Sequence, residues 1–311
     1  MTNKVTLTKK SRGELKTRGE KVFDITNTVF LIILTLLVAY PLYYTIIASF
    51  SEPELVIRGK INLWIKGFTL SSYNEVLKYK SVVNGYKNSL IYTVSGCIYG
   101  LTILLPCSYA LSKKTLKGRG ILSVFFMFTM YFSGGMIPTY LNYKSLGLID
   151  SPFVLIIPAA FTVYNMLITK TFFESNFSES LAEAARIDGA GEFRIFFQLA
   201  LPLSGAIIAV MSLYIAVRIW NSYFDALLYI QNADYYPLQL IMRQILNAAK
   251  STSAGGDAMS EDALEAILRQ QRLAMTMRYS LVILANLPVL IAYPFVQKYF
   301  VKGVMIGAVK G

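Results

Sequence analysis

Six predominantly apolar runs, separated by polar and basic links, constrain this chain more than any other feature. A hydrocarbon core about 30 Å thick takes about 20 helical residues to cross. A strand without its neighbours could not satisfy its own backbone there. The runs cover residues 24–49, Leu90–Leu111, about 120–142, about 152–170, Pro202 to about Leu228, and about Met277 to Val296. They predict an all-α integral membrane protein with six transmembrane helices. In chain order the prediction is a basic tail over 1–22, a first span over 23–49, an outer loop over 50–88, and a core over 89–298. That core includes a polar link at 171–201 and an outer lobe at 229–276, and a tail follows at 299–311. With 55% hydrophobic and 15% charged residues, the composition is that of a membrane protein.

The net charge of +12 raises nucleic acid as a partner. The basic residues instead lie in links and tails with no aromatic-interleaved basic surface, so no nucleic-acid partner is expected. Lys4, Lys9, Lys10, Arg12, Lys16, Arg18 and Lys21 precede the first span, and Lys113, Lys114, Lys117 and Arg119 sit directly against the second and third. By the positive-inside rule these segments are cytoplasmic, giving an N-in, C-in topology. The link at 171–201 then faces the cytoplasm and the lobe at 229–276 faces outward. The first apolar run lacks a following small-residue cleavage site and is expected to remain as a span. His is absent, and Cys97 and Cys107 share one apolar run, which leaves zinc sites and Cys/His nucleophile pairs without support. No metal and no cofactor is expected in this chain.

The outer lobe reads as two helices. Pro237 fits a first helical position, and Leu238, Ile241, Met242, Ile245, Leu246 and Ala249 then draw one apolar stripe. The segment from Ser251 to Met259 breaks it, and Ser260 can cap a second helix bearing Leu264, Ile267, Leu268 and Gln271. Such a lobe either covers the membrane domain or receives a partner.

The link between the fourth and fifth spans carries the most specific local signals. Ser180 and Glu183 have capping-box spacing, which by itself would explain the glutamate. A short helix then runs through Ala184, Ala185 and Ile187, and Gly189-Ala190-Gly191 suits a turn that needs positive φ or close backbone approach. A second amphipathic piece enters the fifth span at Leu201-Pro202. Ala182, Ala184, Ala185 and Ala190 would let another protein surface come close. No G-x-x-x-x-G-K-[ST] occurs, so the chain has no P-loop and is expected to borrow energy rather than act as an enzyme.

Within the fifth span Tyr214, Arg218, Asn221 and Asp225 fall at helical spacing on one stripe. A charge inside a span is a functional candidate, because facing lipid is expensive. The bland reading is that Arg218 snorkels or pairs with Asp225, with Trp220, Tyr223 and Phe224 forming an interfacial belt. Tyr279, Asn286 and Tyr293 make a second polar stripe in the sixth span, for which helix packing is an equal reading. Hydroxyls, amides and aromatic faces suit a sugar, and suit a peptide as well.

EAARIDG at 183–189, followed after nine residues by Leu199, Ala200, Leu201 and Pro202, resembles the EAA loop of binding-protein-dependent ABC importer permeases, with Leu199 where isoleucine is usual. NSL at 88–90, YALSKK at 109–114, WNSYFDAL at 220–227, YPLQLIMR at 236–243 and the C-terminal YPFVQKYFVKGVMIGAVKG resemble the carbohydrate-uptake branch, in particular its maltose-type subunit. The resemblance implies a type I permease fold in which Glu183, Ala184, Ala185, Gly189, Leu201 and Pro202 form a cytoplasmic coupling element. Glu183 would meet a basic residue of an ATPase, and Lys310-Gly311 would reach between two ATPase subunits. The implied partners are a second homologous permease subunit, two copies of a cytoplasmic ABC ATPase carrying ATP and Mg, and an extracellular substrate-binding protein or lipoprotein delivering a sugar. The implied location is a prokaryotic cell membrane, crossed several times. Tyr214, Arg218, Asn221, Asp225 and Asn286 are the candidates for the substrate cavity. Import of a peptide or other organic solute is the alternative. An ion-coupled secondary transporter is disfavoured, because neither mid-span acidic or His residues nor an internal repeat stands out.

Overall fold

The computed structural model describes residues 17–248, 275–294 and Gln297. Among them the regular structure is helical, with no strand. Helix α1 (Arg18–Ser49) starts at a reciprocal cap: the Thr17 hydroxyl accepts from the Glu20 N–H, and the Glu20 carboxylate accepts from the Thr17 N–H. Its large apolar side chains, including Phe30, Leu37 and Leu42, are exposed in the isolated chain. Burial of such a face falls to lipid or to a neighbouring subunit.

Two short helices, α2 (Pro53–Ile57) and α3 (Ser71–Lys78), fold the segment that follows. Helix α4 (Lys80–Ser112) has 33 residues, so at 1.5 Å per residue it is about 50 Å long and projects beyond the hydrocarbon core. Its first turns occupy the end of the predicted 50–88 loop. The third run is not one straight span: α5 (Arg119–Tyr131) and α6 (Met136–Ser145) meet at 115°, with Gly135 at φ 89° in the break. The fourth is α7 (Phe153–Ala160) and α8 (Val163–Asn176), bent by 41°, where the Thr162 hydroxyl caps α8 through the Asn165 N–H.

Then come α9 (Glu179–Ile187) and α10 (Glu192–Leu203), the latter with a π-helical stretch at Phe196–Ala200. Helix α11 (Gly205–Trp220) leaves α10 at 81°. The predicted fifth span ends here. Asn221, Ser222 and Tyr223 separate α11 from α12 (Phe224–Tyr229), because Asn221 Nδ2 donates to the Val217 carbonyl and Ser222 Oγ to that of Ile219. Side chains that take the last carbonyls of a helix compete with its continuation. Helices α13 (Leu238–Ala248) and α14 (Met275–Pro294) complete the described elements. Three of these helices are long and apolar enough to cross a membrane, and the three bent pairs bring the number to as many as six.

Helix α4 is the hub, packing on α7, α8, α11 and α13. Glycines permit that closeness. A Cβ on Gly100 would lie 2.6 Å from the Ala160 carbonyl oxygen, and one on Gly96 would lie 2.2 Å from Ile219 Cδ1. Leu104, Leu155, Met166, Met211 and Ile215 form the centre of the resulting core.

The segment after α12 is joined to α4 by polar contacts across about half the chain. Asn88 Nδ2 donates to the carbonyls of Asp234 (2.7 Å) and Tyr236 (3.1 Å), Tyr92 Oη to that of Tyr235 (3.0 Å), and the Ser89 hydroxyl accepts from the buried Leu238 N–H at 2.9 Å. Pro237 lies one residue ahead of α13, its carbonyl accepting from the N–H groups of Leu240 and Ile241. The predicted stripe is present: Leu238 and Ile241 are buried, with Met242 and Ile245 packed beside them. Ala249 and the predicted second helix from Ser260 lie outside the described residues, as do Lys310 and Gly311.

Candidate functional site

Helix α9 ends where expected, at Ile187, but starts two residues earlier than a Ser180 cap implies. The N-cap is Ser178, whose hydroxyl is 2.6 Å from that of Ser180, and no side chain caps the backbone there. The expected Ser180–Glu183 box is therefore not formed. The Glu183 side chain is exposed and makes no hydrogen bond or ion pair among the described residues. Its carboxylate faces outward with nothing local to satisfy it.

The turn after α9 follows from its sequence. The Ala190 N–H donates to the Ala185 carbonyl at 2.9 Å and the Gly189 N–H to that of Arg186 at 3.0 Å, the two bonds of a Schellman motif. Gly189 sits at φ 78°, a conformation that costs a residue with a Cβ about 1–2 kcal/mol. Gly191, by contrast, has an ordinary extended backbone. Arg186 then straps the two helices together: its Nε donates to Glu192 Oε1 at 3.0 Å and its Nη1 to Glu179 Oε1 at 3.3 Å. These two carboxylates raise the guanidinium's pKa, Glu192 most.

The small residues of this unit mostly face inward. Ala182 is fully buried against Tyr109, Phe173 and Phe196, with Ala185 and Ala190 packed beside it. Ala182, Ala185 and Ala190 pack toward the foot of α4 within the same chain, while Ala184 lies on the exposed face. The outward face holds Glu183, Ala184 and Ile187, the last 87% exposed. Leu201 and Pro202 lie at the end of α10, immediately before the 81° bend into α11. The helix–turn–helix thus leads directly into α11, with which α10 makes one of the three bent apolar pairs.

The predicted cavity stripe is split by the end of α11. Tyr214 and Arg218 lie on α11, Asn221 is its C-cap and Asp225 lies on α12. All four are nevertheless exposed on the isolated chain. Arg218 and Asp225 form no ion pair within 4 Å, yet both act electrostatically on the Tyr143 hydroxyl. Tyr143 stacks edge-on against Tyr229 at 5.1 Å, and Tyr140 lies 6.2 Å from the same ring. The Arg243 guanidinium covers the Tyr223 ring at 4.4 Å, and Gln239 reaches Asn221 Oδ1 at 3.5 Å. Sequence spacing could not find Tyr143 or Arg243, because each arrives from another element, whereas Tyr229 lies one turn beyond Asp225 on α12 and continues the stripe. Trp220 is not part of an exposed belt: it is buried, donates from Nε1 to the Ala285 carbonyl at 2.9 Å and meets Tyr86 edge-on. Asn286 is exposed and bonded back to Val282 of its own helix. Tyr279 packs against Tyr44 of α1 at 5.8 Å, a helix-packing role.

A chain with an outward-facing EAA helix, a strapped turn and a bend at the Leu-Pro step can be set beside known proteins. Residues 82–306 match the family described as binding-protein-dependent transport system inner membrane component. Protein LplC of Bacillus subtilis (strain 168) is 38% identical over 295 residues, covering 95% of this chain and 97% of its own. The polygalacturonan/rhamnogalacturonan transport system permease protein YtcP of the same organism is also 38% identical, over 94% of this chain and 99% of its own. Among solved structures, a bacterial ABC transporter involved in the import of the acidic polysaccharide alginate contains a chain 33% identical to this one. It superposes with a TM-score of 0.82, covering 92% of this chain and 99% of that one. With the motif, the fold and these likenesses in agreement, the chain belongs to the family of binding-protein-dependent transport system inner membrane components.

Proposed function

We propose that this chain is a membrane-spanning permease subunit of an ATP-driven importer for oligosaccharides, fed by an extracellular binding protein. The observation that carries the reading is the alginate importer's chain, matched over nearly its whole length at 33% identity. The functional complex would pair this chain with a second permease subunit and two copies of an ABC ATPase in a prokaryotic plasma membrane, N-in and C-in. The ATP and Mg chemistry would reside on the ATPase subunits.

Energy would enter at α9. An ATPase surface with a basic residue would meet Glu183, and Ile187 would enter an apolar notch beside it. Arg186 and the Gly189 turn would carry that motion into α10, and the bend after Pro202 would tilt α11. Transport then alternates between inward-open and outward-open states, each favoured by the ligand that binds it better.

Within carbohydrates, the reading extends to oligosaccharides bearing carboxylates. Arg218 and Arg243 offer exposed guanidinium groups near Tyr143 and Tyr223, a combination that can pair with a uronate while aromatic faces pack against sugar rings. Two of the similar proteins, the polygalacturonan/rhamnogalacturonan permease and the alginate importer, are named for such polymers, while others at 23–26% identity are named for arabinooligosaccharides, melibiose, raffinose, stachyose or maltodextrin. A competition uptake assay with oligogalacturonate, a neutral oligosaccharide and a peptide of equal size tests this. Inhibition by oligogalacturonate first is the expected result, and inhibition by the peptide alone would overturn the carbohydrate assignment.

A further inference from the structure

At the foot of α4, Lys113 is 92% buried, and its Nζ has no hydrogen-bond partner. Its ammonium lies 4.6 Å from the centre of the Tyr109 ring and 4.8 Å from that of Phe177. Ring faces offset part of the cost of burying a cation but accept none of its three N–H donors conventionally. Lys113 also lines a cavity of about 640 Å³ between α4 and α10. Pro106, Ala110, Leu116 and Phe193 make its walls apolar, and Lys113 and Lys117 bring positive charge. The one acid lining it, Glu192, is taken by Arg186. Nearby Arg119 is likewise committed, to Glu174 and to the Leu111 carbonyl.

The setting of the cavity indicates its occupant. Helix α10 leaves α11 at 81°; with α11 crossing the membrane, α10 would run nearly along its surface. Its buried side packs on Tyr109 and Ala182, while Phe193 and Phe197, one turn apart, are 84% and 58% exposed. An aromatic row on a surface-lying helix belongs in the boundary between headgroups and acyl chains. A slot that opens there, apolar along its walls and cationic at Lys113 and Lys117, matches an amphiphile with an anionic head.

We propose that the cavity between α4 and α10 is a binding site for one anionic phospholipid of the leaflet that contacts α10, with the phosphodiester at Lys113 and Lys117 and an acyl chain along Pro106 and Phe193. This would be the inner leaflet under the orientation proposed above. The site is independent of cargo, so its failure and a failure of the oligosaccharide reading are separable. Bound there, the lipid wedges between the hub helix and the element that carries motion from α9. The lipid surrounding the complex would then set how readily α10 moves.

The test is photolabelling of the full-length chain, assembled with its partner subunits in vesicles, by diazirine-bearing phosphatidylglycerol or phosphatidylcholine. The expected result is phosphatidylglycerol label concentrated in 106–117 and 193–197, with the preference falling about fivefold for each of Lys113→Gln and Lys117→Gln. Should a variant fail to insert, competition of the wild-type label by unlabelled phosphatidylglycerol, and not by phosphatidylcholine, supports the site equally. Equal labelling by the two lipids overturns it. So does crosslinking of this slot to a partner subunit's polypeptide in place of lipid.

Discussion

Arg186 on α9 and Glu192 at the start of α10 are joined by an N–H···O bond of 3.0 Å across the Gly189 turn. The bond links the two helices across the turn, lies on the surface and contributes little to folding. Arg186→Ala is therefore expected to leave expression and thermal stability nearly unchanged while lowering the number of solute molecules imported per ATP hydrolysed. Arg186→Glu combined with Glu192→Arg should recover part of that loss. Measuring uptake and ATP hydrolysis in the same vesicles checks both outcomes.

Gly189 carries the positive φ and donates its N–H to Arg186. Gly189→Ala is expected to cost about 1–2 kcal/mol locally. Gly189→Pro loses the donor as well and fixes φ near −65°, which the turn cannot accept. Uptake should fall moderately in the first variant and be abolished in the second, with both proteins still inserted. Uptake assays alongside membrane fractionation test the order.

Close approach at the hub predicts a contrast between two glycines. Gly100→Ala forces a Cβ onto the Ala160 carbonyl oxygen, whereas a Cβ on Gly205 meets nothing within 4 Å. The first is expected to destabilise by about 1–3 kcal/mol and the second to be nearly neutral. Thermal melting of the detergent-solubilised protein compares them.

The Ser89 hydroxyl is the acceptor for the buried Leu238 N–H. Removing it by Ser89→Ala leaves that donor unsatisfied, at a cost of about 1–3 kcal/mol. The segment from Tyr235 through α13 should become more sensitive to protease, with α9 unaffected. Limited proteolysis followed by mass mapping distinguishes a local loosening from global unfolding.

Burial lowers the Lys113 pKa below 10.5, with Glu179 and Glu192 opposing the shift. Between that lowered value and 10.5 the unfolded chain binds the proton more than the folded one, so stability from this group rises with pH across the window. In detergent free of anionic lipid, the melting temperature of the wild type relative to Lys113→Met is expected to increase as pH approaches 10.5. A flat difference would contradict the buried placement of the ammonium.

Long-range geometry accounts for most of what the sequence left hidden. Apolar runs made legible the helices long enough to cross a membrane, but not the angles of the bends that divide the other runs. The end of α11 was not legible, since Asn221 and Ser222 are not breakers by type and act only by capturing carbonyls one turn back. The cap of α9 was misplaced by two residues because Ser178 and Ser180 both fit a helix start, and their hydroxyls bond each other. The EAA spacing located the exposed Glu183 and the Gly189 turn, but alanines give no sign of which side they face. NSL and YPLQLIMR were each recognisable, yet nothing in either predicts that Ser89 meets Leu238. The partners of Lys113 include Phe177, which only the packing of α8 beside α4 supplies.

An ATPase would drive transport at α9. ATP-dependent oligosaccharide uptake into vesicles, measured with ATPase co-purification for the wild type and for Glu183→Lys, tests this most directly. A correctly inserted Glu183→Lys protein that retains less ATPase and imports almost nothing is the expected result. Wild-type uptake with full ATPase retention by that variant would contradict it.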